Sequence, residues 1–569
     1  MAADADSAVG CNVDPHSASH QNLISVVELL RSKADSVPNE DAFVFLNASN
    51  RRNTISWSEH LDHANRLSHI FTEAGLQRGE TILIQAQSGY EWEVTQMAAW
   101  ICGACVGAVS PTMPAAQLES VLQSLPISWL IHLASNEALK ISRVGRLGEI
   151  VETSCFDVFD ESNGSGATRK PFDVDCGDLP ALLTFTSGST GKPKGLLFTH
   201  KQIALAIDAF TTTYSNLVNG DINLSWLPLE NLFQRMINLA CIAWGCKTYY
   251  WREAARIADG IREVAPHLFI GVPRTFEKFF MSSCNEGKET GPDLATVLGG
   301  RAKVLITGSA PSTRKVLQAY RDADVPLFEA YGLSENIIPM ATNSSVASKI
   351  GSVGIAFKYN DIKSDSLNRL WVRSPGIYSR KYECGAVLSK GEPPELDSEG
   401  YYLTGDLAEV DLDGFITLIG RTTDLIKTST GRRLAPRRIE DAYKAHPKIE
   451  RIVVFGEGEE LLVGLMVLDD SETSKLQLSL GLQIAELDAK HWLSPMLNDA
   501  ANNLHPHERV GGWLISNSDT FLRYNLTTDN DKSKRHEIYR TFEGKIQKLY
   551  GHLKQHKISP RHEPVVWIV

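Results

Sequence analysis

The chain has 569 residues, 43% of them apolar and 22% charged; this is ordinary globular composition, but too long for a single compact core. A formal net charge of −11 excludes a protein that works through a broad basic face, so no nucleic-acid partner is expected. No apolar run is long enough to span a bilayer, which leaves peripheral contact as the one membrane association open.

Residues 1–21 (MAADADSAVGCNVDPHSASHQ) lack the basic start and apolar core of a signal peptide. They read as a disordered tail, and a reducing cytoplasm is the expected location. The nine cysteines are scattered, and only Cys102 and Cys105 have CxxC spacing. They lie in the apolar stretch 97–109, which reads as a helix packing small residues rather than as a redox or metal site. Leu23, Val26, Val27, Leu29 and Leu30 recur at helical spacing, and residues 54–71 and 92–109 repeat that pattern around a short strand at 81–86. Further strands are expected at 129–133 and 268–272. Alternation of this kind predicts an α/β domain of layered, largely parallel sheets.

A polar, Gly/Ser-rich loop at 157–178 delivers the chain to LTFTSGSTGKPKGLLFTH, residues 183–200. Ala181 to Phe185 are apolar and β-prone, as a buried strand requires. The next ten residues are ones that a packed core would not choose: Thr186, Ser187, Gly188, Ser189, Thr190, Gly191, Lys192, Pro193, Lys194 and Gly195. Glycines let successive backbone N–H groups approach an anion, hydroxyls add donors, and the two lysines add positive charge. Leu196, Leu197 and Phe198 then leave as a second strand. The stretch reads as a phosphate-binding loop. It is not the Walker pattern, because its first glycine would fall at Thr186 and Pro193 follows Lys192.

A helix is expected over 201–216, then a strand from Leu224 that turns at Pro228 into a helix, with Trp226, Asn231 and Arg235 along it. Another strand covers 267–274. Residues 304–310 form an apolar strand ending in the small residues Gly308, Ser309 and Ala310, which leave room for a ligand at the sheet edge. In LFEAYGLSE, residues 327–335, Tyr331 offers an aromatic face to a base, Gly332 and Ser334 form a turn, and Glu335 can hold Mg²⁺ beside phosphate oxygens. Asp406, in Tyr-Leu-Thr-Gly-Asp, is a good acceptor for both hydroxyls of a ribose, and Arg421 can contact ribose or phosphate. A β-hairpin turning at Asp413-Gly414 accompanies them. A helix over 435–446, strands over 451–455 and 461–467, and a helix over 536–549 complete the pattern.

These blocks, in this order, resemble the signatures of the adenylate-forming superfamily, and most closely its long-chain acyl-CoA synthetases; the resemblance runs from about residue 23 to 549. It implies a large N-terminal α/β domain with layered sheets (22–420), a hinge (421–424) and a smaller, mobile C-terminal α+β domain (425–569). It also implies ATP, Mg²⁺ and coenzyme A as cofactor and co-substrates. Thr186 to Lys194 would bind phosphates, with Thr186 and Glu335 on the metal. Gly308, Ser309, Ala310, Tyr331, Gly332 and Ser334 would bind the nucleotide, and Asp406 and Arg421 its ribose.

Gly431 lies in the segment that resembles the thiol-channel loop, where Arg432-Arg433 stand in place of a common Glu-Asn. Lys532 matches the catalytic lysine, although its loop lacks the family's proline, is one residue longer, and sets Asp529 and Asp531 beside it. Trp226, Asn231 and Arg235 fall on the acid side, where Glu230-Asn231 replaces a common Ala-His whose histidine helps to place the carboxylate. The apolar residues of 226–235 and 331–340 favour an apolar acid: a fatty acid first, a bulky aromatic or polycyclic acid second. The expected reaction forms an acyl-adenylate and passes the acyl group to CoA. The alternatives are transfer to an acyl carrier protein, or a catalytically silent acyl- or nucleotide-binding relative.

Overall fold

Strands that are apolar along their whole length need cover on both faces, and the architecture supplies it. The computed structural model describes residues 23–46, 52–133, 138–145, 150–157, 177–187, 193–283, 293–383, 390–444, 449–468, 495, 497–499, 501, 504–527, 533–556 and 565–568. The first sheet has nine strands; its centre is the parallel set Leu327–Leu333, Val304–Thr307, Leu268–Gly271, Ile222–Ser225, Lys247–Tyr250 and Asp41–Leu46. The second has eight strands around the parallel set Pro180–Ser187, Cys105–Val109, Thr81–Gln85 and Trp129–Leu133.

Alternate residues of each strand serve different cores, as the two-residue period of a strand demands. Leu268, Ile270, Val304 and Ile306 share one large core with Ile82, Ile84, Val106 and Leu182 of the second sheet. The helices Trp57–Glu73, Tyr90–Ile101, His200–Thr213 and Leu232–Trp244 contribute to that same core and lie between the sheets. Phe269 and Leu305 point the other way, onto the helices Ile257–Val264, Pro273–Ser283 and Arg314–Asp322. Leu83, Cys105 and Leu183 do the same on the outer face of the second sheet, against Ala115–Ser124.

A third, antiparallel sheet of four strands, Asp361–Ser364, Arg369–Arg373, Tyr402–Val410 and Ile416–Arg421, turns Leu370, Val372, Ala408 and Ile416 into the main core. The chain then forms a separate body. Its four-stranded sheet of Ile449–Phe455, Leu462–Leu468, Val510–Ser516 and Val565–Ile568 carries a core on each face, one of them covered by Arg535–Gln555. A large N-terminal α/β domain with layered sheets and a smaller C-terminal α+β domain result.

Two expected helices are cut short by strands. Residues 97–109 divide into the helix Tyr90–Ile101 and the buried strand Cys105–Val109. Gly103 takes φ +72 just beyond the helix end, and its N–H bonds the Trp100 carbonyl, which closes the helix and reverses the chain. A short apolar run cannot distinguish a buried strand from a helix by periodicity alone. Likewise residues 54–56 belong to the strand Arg52–Ser56, and the helix starts at Trp57, where Ser56 and Glu59 form a capping box. The polar loop expected at 157–178 lies mostly outside the described residues.

Gly354 marks the joint between the first and third sheets. Its carbonyl accepts from Ile416 N–H at 2.9 Å, its φ is +88, and a Cβ there would fall 1.9 Å from the Thr342 carbonyl. Gly354→Ala is expected to cost about 3 kcal/mol or more in unfolding free energy. A denaturation loss below about 1 kcal/mol would show that this joint gives way easily.

Candidate active site

In parallel sheets, ligands bind beyond the carboxyl ends of the strands. The expected site residues of the first sheet gather at such an edge. The strand Val304–Thr307 ends at Gly308, where a Cβ would lie 3.1 Å from the Ala330 carbonyl oxygen and 3.8 Å from the Phe233 ring. Gly308 therefore lets three segments close on one another. Ser309 follows with φ +66, an exposed turn residue. Leu229, in the turn after Ile222–Ser225, donates its N–H to Ser88 Oγ at 2.8 Å. Ser88 follows the strand Thr81–Gln85, so the carboxyl edges of the two sheets meet here.

The second sheet brings the phosphate-loop segment to that edge. Pro180–Ser187 and Pro193–Thr199 pair antiparallel, with Thr186 opposite Lys194 and Ser187 opposite Pro193 at the neck. Gly188, Ser189, Thr190, Gly191 and Lys192 lie outside the described residues, and so does Lys532. The neck of the Lys532 loop is described: Thr527 bridges Ser533, and Lys534 N–H bonds the Leu526 carbonyl at 2.8 Å.

Asp406 is the best-defined group. It is 6% exposed and accepts on both oxygens: from the Tyr331 hydroxyl on Oδ2, and from Arg421 Nε on Oδ1 at 3.1 Å. Register explains the second contact, since Asp406 and Arg421 face each other across adjacent strands. Each carboxylate oxygen offers two lone pairs, so this arrangement leaves one on each oxygen for a further donor. Tyr331 is buried in the main core, and burial, with Asp406 beside it, pushes its hydroxyl well above the usual tyrosine range.

Glu335 is half-buried and forms no ion pair among the described residues. It sits close enough to Tyr378 and Tyr402 to raise both phenols, on top of the larger effect of burial; Tyr378 is pushed up to about 12. The segment around Tyr378 sets Glu335 relative to the phosphate hairpin. Tyr378 N–H bonds the Glu335 carbonyl at 3.0 Å, Ser379 N–H bonds Leu197 at 2.8 Å, and Gln202 Nε2 reaches the Ile377 carbonyl at 2.5 Å. Nothing in the spacing of the sequence marked Tyr378 or Gln202; the capping box of Thr199 and Gln202 was the one local signal.

Two expectations for the acid side need correction. Arg235 is 1% exposed and holds the interior together: Nε donates to Gln96 Oε1 at 2.5 Å, another nitrogen to the Val106 carbonyl at 3.3 Å, and the guanidinium lies 4.8 Å over Trp92. Burial lowers it to about 9, against the attraction of Glu93. Glu93, itself pushed up by burial, accepts from Asn238 at 2.8 Å and Tyr250 at 3.0 Å. Ile338 and Met340 are also sealed in the core, so the 331–340 segment gives the acid little apolar wall. Cys105 is in a strand, but the packing role expected for the CxxC thiols stands. Burial pushes Cys102 to about 11 and Cys105 to about 12, far from a reactive thiolate. Trp226 stacks on Phe269 and donates to the Ile270 carbonyl, while Asn231 is exposed at the start of Leu232–Trp244.

Gly431 takes φ +79 in an exposed turn of the smaller domain, with Arg432 and Arg433 also exposed. That domain touches the large one through Arg274 and Glu450, 3.8 Å apart. Its helix Pro436–Lys444 brings Arg437 and Asp441 towards Glu329. Glu329 is 6% exposed and accepts from Ser312 N–H at 2.8 Å. Burial raises it to about 7, partly offset by Ser312 and Arg437.

Solved structures share this fold. ATP-bound MatB from Rhodopseudomonas palustris superposes with a TM-score of 0.68 at 17% identity, over 91% of this chain and 99% of that one. O-succinylbenzoate coenzyme A synthetase from Bacillus subtilis, in complex with AMP, gives 0.67 at 18%, over 89% and 97%. The likeness is one of fold: a large α/β domain followed by a smaller α+β domain. Residues 30–373 match the family model for AMP-binding enzymes, and residues 423–554 match that for the AMP-binding enzyme C-terminal domain. The chain belongs to the AMP-binding enzyme family and is by class an AMP-forming acid–thiol ligase resembling long-chain acyl-CoA synthetases.

Its relatives include the long-chain-fatty-acid–CoA ligase FadD15 of Mycobacterium tuberculosis, 26% identical over 448 residues (69% of this chain, 74% of that protein). Fatty acyl-CoA synthetase B of Dictyostelium discoideum is 23% identical over 580 residues (88% and 85%). Long-chain-fatty-acid–CoA ligase 5 of Rattus norvegicus is 24% identical over 582 residues (88% and 85%).

Arg235→Ala should cost about 3–5 kcal/mol in stability by stranding its buried partners. The surviving folded enzyme should keep its KM for the acid; a raised KM at unchanged stability would return Arg235 to the substrate pocket. For Glu329, both states are protonated well below 4.5, and between there and about 7 only the unfolded state ionises. Native stability therefore falls as pH rises through that window. Glu329→Gln should gain up to about 3 kcal/mol relative to wild type from pH 4.5 to 7, read from paired thermal midpoints. A pH-independent difference would place Glu329 in contact with solvent.

Proposed function

We propose that this enzyme uses ATP to convert a hydrophobic carboxylic acid, a fatty acid as first choice, into an acyl-adenylate and then into acyl-CoA. The observation that carries the reading is the Asp406 carboxylate, held by Tyr331 and Arg421 at the carboxyl edge of the sheets with an acceptor site left on each oxygen. A carboxylate is a poor acyl donor because its leaving group would be oxide; AMP is a far better one. The acid attacks the α-phosphorus of ATP, pyrophosphate leaves, and the thiol of CoA then displaces AMP.

The transition state spreads negative charge over phosphate oxygens, so catalysis is mostly positioning and fixed positive charge. In this reading Thr186 to Lys194 grip the β- and γ-phosphates and Lys532 bridges carboxylate and α-phosphate. Gly308, Ser309, Ala310, Tyr331, Gly332 and Ser334 surround the base, and Asp406 with Arg421 takes the ribose. Glu335 and Thr186 would hold Mg²⁺, which supplies charge neutralisation between phosphates. Half-buried Glu335, with no ion pair among the described residues, suits this, since magnesium bound to a nucleotide needs only one or two protein carboxylates.

The domains divide at residues 421–424, where Thr422 Oγ1 bonds the Gly405 carbonyl at 3.0 Å beside the ribose carboxylate. Rotation there would withdraw Lys532 after adenylation and bring the Gly431 loop towards the incoming thiol. Among the described residues no helix is long and apolar enough to cross a membrane. Cys102, Cys105, Cys241 and Cys246 are buried free thiols, which suits the cytoplasmic location included in this proposal.

The test is a panel of carboxylic acids in ATP–pyrophosphate exchange, followed by CoA addition and detection of the thioester. Lys532→Ala should slow adenylation by about 10²–10³, the usual cost of one transition-state donor. If labelled ATP yields no AMP with any acid while the protein is folded, the proposal fails; an unchanged rate in the variant removes Lys532 from the chemistry.

A further inference from the structure

The strand Arg380–Glu383 runs antiparallel beside Pro193–Thr199, with Glu383 opposite Lys194 at the neck of the phosphate hairpin. The residues just before that strand, 375–379, reach the other half of the candidate metal site. Tyr378 N–H bonds the Glu335 carbonyl at 3.0 Å, Ile337 N–H bonds the Gly376 carbonyl at 3.0 Å, and Ile377 bridges Asn336. One continuous run of chain, 375–383, therefore has the phosphate hairpin on one side and the Glu335 backbone on the other. The side chain that clamps this run is Gln202, buried in the first turn of His200–Thr213. Its Nε2 donates to the Pro375 carbonyl at 2.9 Å and to the Ile377 carbonyl at 2.5 Å. Its Oε1 accepts from Thr199 N–H and from Ser379 Oγ, both at 3.0 Å.

A carboxamide has two donor hydrogens and two acceptor lone pairs, and here all four are used. Capping the helix takes only the oxygen, and a glutamate at that position of a capping box serves equally well. Both N–H donors are thus surplus to the cap and are spent wholly on 375–379. We propose that Gln202 is a positioning residue for magnesium-bound ATP. It fixes the backbone that carries Glu335 relative to the phosphate hairpin, and so fixes how far the metal carboxylate stands from the phosphates. The inference rests on the reading that Glu335 holds Mg²⁺ and deepens it. Mg²⁺ accepts only a narrow range of ligand distances, so a small relative shift of the two halves weakens the metal-bound nucleotide more than the nucleotide alone.

The experiment is calorimetric titration of the full chain with ATP, once with Mg²⁺ and once with a chelator, on variants shown to be folded by circular dichroism. Gln202→Met, which keeps the length of the side chain without its polar atoms, should weaken Mg·ATP binding by about tenfold or more. Binding of metal-free ATP should not change. Gln202→Glu keeps the cap and removes only the two donors, and it should also weaken Mg·ATP. Glu335→Gln alone should weaken Mg·ATP, and adding Gln202→Met to it should cost nothing further, because both act at one point. Equal weakening with and without the metal, additive losses in the double variant, or wild-type binding by Gln202→Glu overturns the inference. Should Gln202→Met not fold, Ser379→Ala takes one hydrogen bond from the same amide; a loss of about threefold for Mg·ATP is expected, and no loss overturns the inference. A folded wild type with no affinity for Mg·ATP overturns the nucleotide reading itself and this inference with it.

Discussion

Asp406 is the contact through which the parts of this molecule meet. It belongs to the third sheet, receives a hydroxyl from Tyr331 on the first sheet, and faces Arg421, the last residue of the strand that leads towards the smaller domain. A charge this far from water is tolerable only when its partners are in place. The requirement works in both directions. It holds Tyr331 in its buried orientation, and it ties the exit of the large domain to the floor of the candidate nucleotide site. Thr422, bonded to the carbonyl of Gly405, extends the tie one residue further.

Beneath that contact lies a second constraint, the polar core between the sheets. Arg235, Gln96, Glu93, Asn238 and Tyr250 form a connected set in which the charged members are neutralised or hydrogen-bonded. It joins the helix Tyr90–Ile101 to Leu232–Trp244, the two helices that reach the carboxyl edges of their respective sheets. A network of this kind fixes how those helices sit, because each donor has a particular acceptor to meet. The turns just before the helices, with Ser88 and Leu229, are positioned by the same set.

The order of the family's signature blocks along the chain was readable from residue chemistry. Small and hydroxylated residues follow the apolar stretches 181–185 and 304–306 of the sequence. The hairpin that sets Asp406 opposite Arg421 was readable too, since Asp413-Gly414 announces its turn. The helix–strand break after Ile101 was not, because Cys102 to Val109 satisfy a helical and a buried-strand environment equally. Arg235 was misplaced for a related reason: an arginine one turn into an apolar helix looks like a ligand residue until its acceptors, Gln96 and Val106, arrive from 139 and 129 positions away. The tip of the phosphate loop and Lys532 were named from their pattern, and they lie outside the described residues.

What the sequence determined by itself is local: strand, turn and helix, the donors each turn can present, and through their order the family. Tertiary structure decided which polar residues are structural and which are free for chemistry. That distinction depends on partners brought together from far along the chain, and burial, which sets the value of every such pairing, is a property of the packed molecule.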